Sequence, residues 1–144
     1  MFGQRVRDLM EQEKLLTAPP QTTVSQAARL MARRKVGAVM VVENQKLVGI
    51  FTERDAVFRV IAQGRDAQTT ALAEVMTAAP QTVDPDKSFG YALLVMHEHG
   101  FRHLPVIEDD ELIGIVSARN AMDPDLEEFV AEAKRREQIL RERS

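Results

Sequence analysis

Residues 17–55 read TAPPQTTVSQAARLMARRKVGAVMVVENQKLVGIFTERD, and residues 82–120 read TVDPDKSFGYALLVMHEHGFRHLPVIEDDELIGIVSARN. Laid over each other at an offset of 65 residues, the two stretches need no gap. Pro20/Pro85, Ala27/Ala92, Met31/Met96, Val41/Val106, Leu47/Leu112, Gly49/Gly114, Ile50/Ile115 and Arg54/Arg119 are identical pairs; Val48/Ile113 and Thr52/Ser117 are conservative ones. A repeat of this kind is one supersecondary unit whose apolar face a second copy helps to cover.

Each copy carries the same local signals. In the first, Thr23-x-x-Gln26 forms a capping box, and Val24, Ala27, Ala28 and Met31 follow at helical spacing. In the second, Ser88 caps, Phe89, Ala92, Leu93 and Met96 follow, and Gly100 ends the helix as a left-handed cap. The runs Val39–Val42 and Leu47–Phe51, separated by the polar break Asn44-Gln45-Lys46, predict a β-hairpin with buried strands. Leu104–Ile107, Asp109-Asp110 and Leu112–Val116 predict its counterpart, with Pro105 pointing to an edge or a strand start. Each hairpin runs into a helix, Asp55–Gln63 in the first copy and a short one near Asn120 in the second. Gly64 serves as a helix stop and Gly49 as a strand packing position.

Outside the repeats, Val6–Glu13 reads as a leading helix, with Leu72–Met76 as its counterpart before the second copy. Asp123–Arg143 reads as a helix: Asp123 caps, Pro124 takes the first position, acids lead and arginines close. Leu126, Phe129, Val130, Ala133 and Leu140 form a partial apolar stripe on it. The fold class is therefore mixed α+β: two repeats, each helix–strand–strand–helix, plus a C-terminal helix. The expected organisation is repeat one with its leading helix over 1–70, repeat two over 71–122, and the terminal helix over 123–144.

Composition excludes several functions. The chain has 144 residues, 44% apolar and 28% charged, the balance of a globular domain. Its net charge is −3, with no positive excess to suit nucleic acid. Without cysteine it has no disulfide, thiolate metal site or cysteine nucleophile. No apolar run approaches the roughly 20 residues needed to span a bilayer, and Met1–Met10 lacks a signal-peptide core, so the expected location is the cytoplasm. His97, His99 and His103 do not show a recognised metal-ligand spacing, and neither a Walker loop nor a nucleophile elbow is present, so no metal and no catalysis are expected.

The repeat resembles the cystathionine-β-synthase (CBS) domain. The matching stretches are Val75-Met76-Thr77, Arg102-His103-Leu104-Pro105-Val106, and the motif that follows the second strand, Gly49-Ile50-Phe51-Thr52-Glu53-Arg54-Asp55 and Gly114-Ile115-Val116-Ser117-Ala118-Arg119-Asn120. The resemblance covers residues 5 to 122. It implies two repeats around a pseudo-two-fold axis, homodimers of such pairs forming a disc, and adenosine-containing ligands in the inter-repeat clefts.

Candidate site residues follow from the motif. Thr52 and Asp55 sit where a strand becomes a helix. They can serve as a cap alone, or they can also present a carboxylate to both ribose hydroxyls beside amides that suit a phosphate. Ser117 and Asn120 are the second copy, in which an amide replaces the acid, so the Thr52/Asp55 cleft is expected to hold ribose more tightly. Arg54, Arg119, Arg102 and His103 are the phosphate candidates; repeat one has Gly37 and Ala38 where repeat two has Arg102 and His103. Thr17, Ala18, Thr82 and Val83 are candidates for the adenine rim, as are the strand residues Val39, Ile50, Pro105 and Ile115. The expected function is a non-catalytic sensor of AMP, ADP, ATP or NAD(H), a homodimer signalling to another protein. The alternative is an interaction module that dimerises or docks on a partner without a nucleotide.

Overall fold

The computed structural model describes residues 2–121 and 124–143, and side chains over 2–119 and 131–142. The chain runs α1 (Val6–Leu9), β1 (Thr17–Ala18), α2 (Val24–Arg34), β2 (Ala38–Glu43), β3 (Lys46–Thr52) and α3. Helix α3 opens with one α-turn, Glu53–Asp55, and continues as a π-helix, Ala56–Ile61. Then come α4 (Leu72–Val75), β4 (Thr77–Ala78), α5 (Phe89–His99), β5 (His103–Glu108), β6 (Glu111–Ser117), a 3₁₀ turn Ala118–Ala121, and α6 (Pro124–Arg143).

The offset of 65 read from the sequence holds for every boundary of the helix–hairpin unit: Val24 with Phe89, Ala38 with His103, Lys46 with Glu111, and Thr52 with Ser117. Thr23 Oγ1 accepts the Gln26 amide at 3.2 Å while the Gln26 side chain accepts the Thr23 amide at 3.0 Å, and Ser88 Oγ accepts the Tyr91 amide at 3.1 Å. Both helices end in the left-handed region, at Lys35 and Gly100. Both hairpins turn on two residues with positive φ, Asn44-Gln45 and Asp109-Asp110, the twist-matched type I′ geometry. Lys46, expected in the turn, is the first residue of β3.

One backbone detail separates the copies. In repeat one, β1 pairs in parallel with β2, Thr17 opposite Met40, and the Met40 amide donates to the Leu16 carbonyl at 2.8 Å. The equivalent of Met40 is Pro105, which has no N–H. The counterpart of β1 therefore shrinks to a single bridge, Val83 to Val106. Pro105 is the third residue of β5, an edge strand of the two-stranded β5–β6 sheet, so it stands at an edge as expected and not at a strand start.

The leading segments cross over. α1, shorter than the expected Val6–Glu13, packs with repeat two: the Val6 amide donates to the Lys87 carbonyl, Val6 is fully buried among Phe89, Leu104 and Val116, and Arg7 pairs with Glu108 and Asp86. Its chain goes on to bridge Glu11 to Ile115 of β6. α4 does the reverse. The Leu72 amide donates to the Thr22 carbonyl, Leu72 and Val75 join Val24, Phe51 and Val60 in the first core, and β4 pairs with β3. A third cluster, Ala38, Met40, Ile50 and Ile115, joins the repeats along their shared axis.

Two glycines make room for the crossing chains. A Cβ on Gly49 would lie 2.3 Å from Met76 Sδ and 2.9 Å from its Cγ; one on Gly114 would lie 2.9 Å from Met10 Sδ. Gly49→Val is expected to cost about 1–3 kcal/mol by overpacking. Gly114→Ala is expected to cost less, because the neighbouring sulfur needs to move less. Melting temperatures of the two variants check this order.

The expected cap Asp123 lies outside the described residues, as do the side chains of Leu126, Phe129 and Val130. Of the remaining stripe, Ala133 and Leu140 are exposed. No helix among the described residues is long and apolar enough to cross a membrane.

Candidate functional site

Two clefts open between the repeats, of about 730 and 770 Å³. The first is walled by the opening of α3 on one side and by the chain leaving β4 on the other: Thr52, Arg54 and Asp55 face Thr77, Pro80 and Gln81. The second is its pseudo-symmetric partner, with Ser117 and Arg119 facing Glu11 and Lys14. The crossover of the leading segments builds both, since each cleft joins the hairpin end of one repeat to the leader of the other.

The chemistry of the first cleft centres on Asp55. The Thr52 amide and hydroxyl donate to Asp55 Oδ2 at 2.9 and 3.2 Å, and the Asp55 amide donates back to Thr52 Oγ1 at 3.3 Å. Asp55 is buried, its other oxygen 3.5 Å from Arg59 Nε. Arg59 also donates to the Met76 carbonyl at 2.9 Å, so it ties α3 to the crossing segment. The carboxylate is thus fixed in place by Thr52 on one oxygen and by Arg59 on the other. Arg54 lies beside it with its guanidinium 5.3 Å from the Phe58 ring centre, a cation–π contact that steadies a cation at the cleft wall.

Three residues line both clefts: Glu53, Arg102 and His103. They form a seam where the inner ends of the clefts meet. Burial pushes the His103 imidazole below its ordinary range. Arg119 and Arg102 push it the same way, and Glu53 and Glu11 oppose them. A histidine of lowered pKa stays neutral in the folded chain while the unfolded chain takes up its proton, so its contribution to stability falls as the pH drops below about 6.5. The loss is about 1.4 kcal/mol for each tenfold reduction in proton affinity, developing between that pH and the lowered pKa. Urea unfolding at about pH 7.5 and 5.5 checks this: His103→Gln is expected to decline less than the parent chain, and equal declines would refute it. His99 also lines the first cleft, 3.0 Å from the Val95 carbonyl and stacked on Phe101.

Of the residues singled out in the sequence, Thr52, Asp55, Arg54, Arg102 and His103 come together in the first cleft, and Ser117, Arg119, Arg102 and His103 in the second. The Asn120 side chain lies outside the described residues. Ile50 lines the first cleft and Ile115 the second. Val39 and Pro105 are buried in the strands, Ala18 and Val83 in the two cores, and Thr17 and Thr82 are exposed; none of these six lines either cleft. The chain that does line the first cleft lies a few residues earlier, at Thr77, Pro80 and Gln81. The sequence reading also missed Glu53 and Arg59. Arg59 carried a readable signal, a cation four residues after an acid on a helix. The crossing leaders carried none, because the repeat offset does not tell which core each leader joins.

The CBS domain family pattern matches residues 6–62 and 72–124. The chain is 39% identical over 112 residues to the CBS domain-containing protein YhcV of Bacillus subtilis, covering 78% of this chain and 79% of that one. Several other relatives are longer proteins, of which this chain spans 16% to 48%. Among solved structures, a Burkholderia ambifaria protein with CBS domains matches at 37% identity with a TM-score of 0.71, covering 74% of this chain and 78% of that one. A Pyrobaculum aerophilum CBS domain protein complexed with AMP shares the fold at 23% identity, with a TM-score of 0.76, covering 90% of this chain and 99% of that one.

Proposed function

The chain belongs to the CBS domain family, and from that premise we propose that it is a non-catalytic regulatory module that senses an adenine nucleotide between its two repeats. The observation that carries this reading is the Asp55 carboxylate. It is buried at a helix start, pinned by Thr52, and opens onto a cleft with Arg54 and Arg102 on its walls. A carboxylate so placed accepts ribose hydroxyls, and the cations beside it meet phosphate. The fold admits such ligands, since a chain of the same fold carries AMP. A nucleotide wedged between the repeats favours one inter-repeat angle over another, and that difference in affinity is the signal.

The sensor works as a homodimer in the cytoplasm and passes its state to a separate protein. The exposed apolar side chains Val57, Phe58 and Ile61 on α3 and Tyr91 and Leu94 on α5 supply surface for a second copy. AMP, ADP, ATP and NAD(H) all carry the adenosine group that the clefts would grip. Native mass spectrometry of the purified protein tests this reading: an adenosine compound is expected to travel with the chain. If none does, and calorimetric titrations with adenosine, AMP, ATP and NAD are all flat, the reading fails.

A second reading, an interaction module, rests on α6, whose described side chains, Ile139 and Leu140 among them, are exposed. Light scattering on a chain truncated after residue 122 separates the two. Loss of the dimer with nucleotide binding intact assigns assembly to α6 and sensing to the clefts.

A further inference from the structure

The seam between the clefts carries an acid that neither the capping box nor the ribose corner uses. Glu53 follows the cap residue Thr52, and its side chain lies flat on Gly37: a Cβ there would fall 2.5 Å from Glu53 Oε1, 3.2 Å from Cδ and 3.4 Å from Cγ. The backbone of this corner is duplicated, since the Glu53 amide donates to the Gly37 carbonyl at 3.0 Å and the Ala118 amide to the Arg102 carbonyl at 2.9 Å. The side chains are not. Repeat one pairs an acid with a glycine where repeat two pairs an alanine with an arginine. The absent side chain at Gly37 is what seats the carboxylate at the seam, where it acts on His103 across the axis.

We infer that Glu53 sets the charge of the tail that a nucleoside held at Thr52 and Asp55 carries, admitting a single phosphate and opposing a triphosphate. This rests on the adenine-nucleotide reading and narrows it. A tail leaving the ribose corner meets the cleft's positive groups in turn. Arg59 is committed to Asp55 and to the Met76 carbonyl, and Arg54 lies over Phe58. At the seam, Arg102 makes no ion pair within 4 Å among the described residues, His103 is held neutral by burial, and Glu53 is likewise unpaired among the described residues. One cation there faces one anion. A monophosphate ends beside Arg102. A triphosphate carries its added charge on past it, against a carboxylate with no ion-pair partner within 4 Å among the described residues. The second cleft is different, because Lys35 and Arg119 add cations on its own side, while Lys14 there is paired with Glu11.

Calorimetric titration of the full chain with adenosine, AMP and metal-free ATP tests this, read at the site that Asp55→Ala removes. The parent chain is expected to hold AMP about tenfold more tightly than ATP, about 1.4 kcal/mol. E53Q keeps the shape and removes the charge; it is expected to raise ATP affinity about tenfold with little change for AMP, which closes the gap. G37A displaces the carboxylate without removing it and is expected to close the gap in part. A ratio of AMP to ATP affinity that E53Q leaves unchanged overturns the inference while the nucleotide reading stands. No binding of any of the three overturns the inference, and a flat titration with NAD as well removes the nucleotide reading with it.

Discussion

Asp55→Ala is expected to weaken adenine-nucleotide binding in the first cleft by a hundredfold or more. A carboxylate that accepts both ribose hydroxyls makes two charge-assisted hydrogen bonds, each contributing about 1.5–3 kcal/mol, and every 1.4 kcal/mol is a factor of ten. The second cleft has no acid in the corresponding position, so its affinity should stay where it was, and calorimetry should show one class of sites disappearing. Alanine also removes the partner of the Thr52 amide, which would cost about 0.5–2 kcal/mol of stability as a lost cap. Asp55→Asn separates the two effects. It can still accept from the Thr52 amide, so the fold keeps its cap, but it loses charge, and binding should fall by about tenfold. Binding unchanged in both variants would remove Asp55 from the site.

Deleting residues 1–12 is expected to damage repeat two and spare repeat one. The segment supplies Val6, fully buried among Phe89, Leu104 and Val116, and the half-buried Leu9 and Met10. Fully burying a side chain of this size contributes about 1.5–3 kcal/mol, so the three together bring a loss of about 3–5 kcal/mol. Arg7, exposed and paired with Glu108 and Asp86, adds little. Hydrogen exchange locates the damage: amides of α5, β5 and β6 should lose protection while those of α2, β2 and β3 keep theirs. Lost protection confined to 24–52 would show that α1 belongs to its sequence neighbour after all.

The helix–hairpin unit was legible in the sequence because each of its signals is local. A hydroxyl cap, an apolar strand run and a short polar break each act within a few residues, and the second copy carries its own version of each in register, although the first break is one residue shorter than expected, since Lys46 belongs to β3. Helix α3 was only half legible: its cap stood out, but nothing in the spacing of 55–63 marks a π-helix. The first cleft shows the same division. Thr52 and Asp55 were visible because one turn of chain joins them. Thr77, Pro80 and Gln81 were not, because their place depends on a leader crossing to the far repeat. Thr17 and Thr82, expected at the rim as the chain entering each repeat, line neither cleft.

The exchanged leaders have a consequence for how such a chain can arise. A polypeptide of half this length would have one apolar leader with no core beneath it and one core lacking a wall. Two identical halves meet both needs at once by trading leaders, but only at a concentration high enough for them to find each other. Fusing the halves through residues 62–71 makes that trade intramolecular, so the gap between the halves no longer depends on how much protein is present.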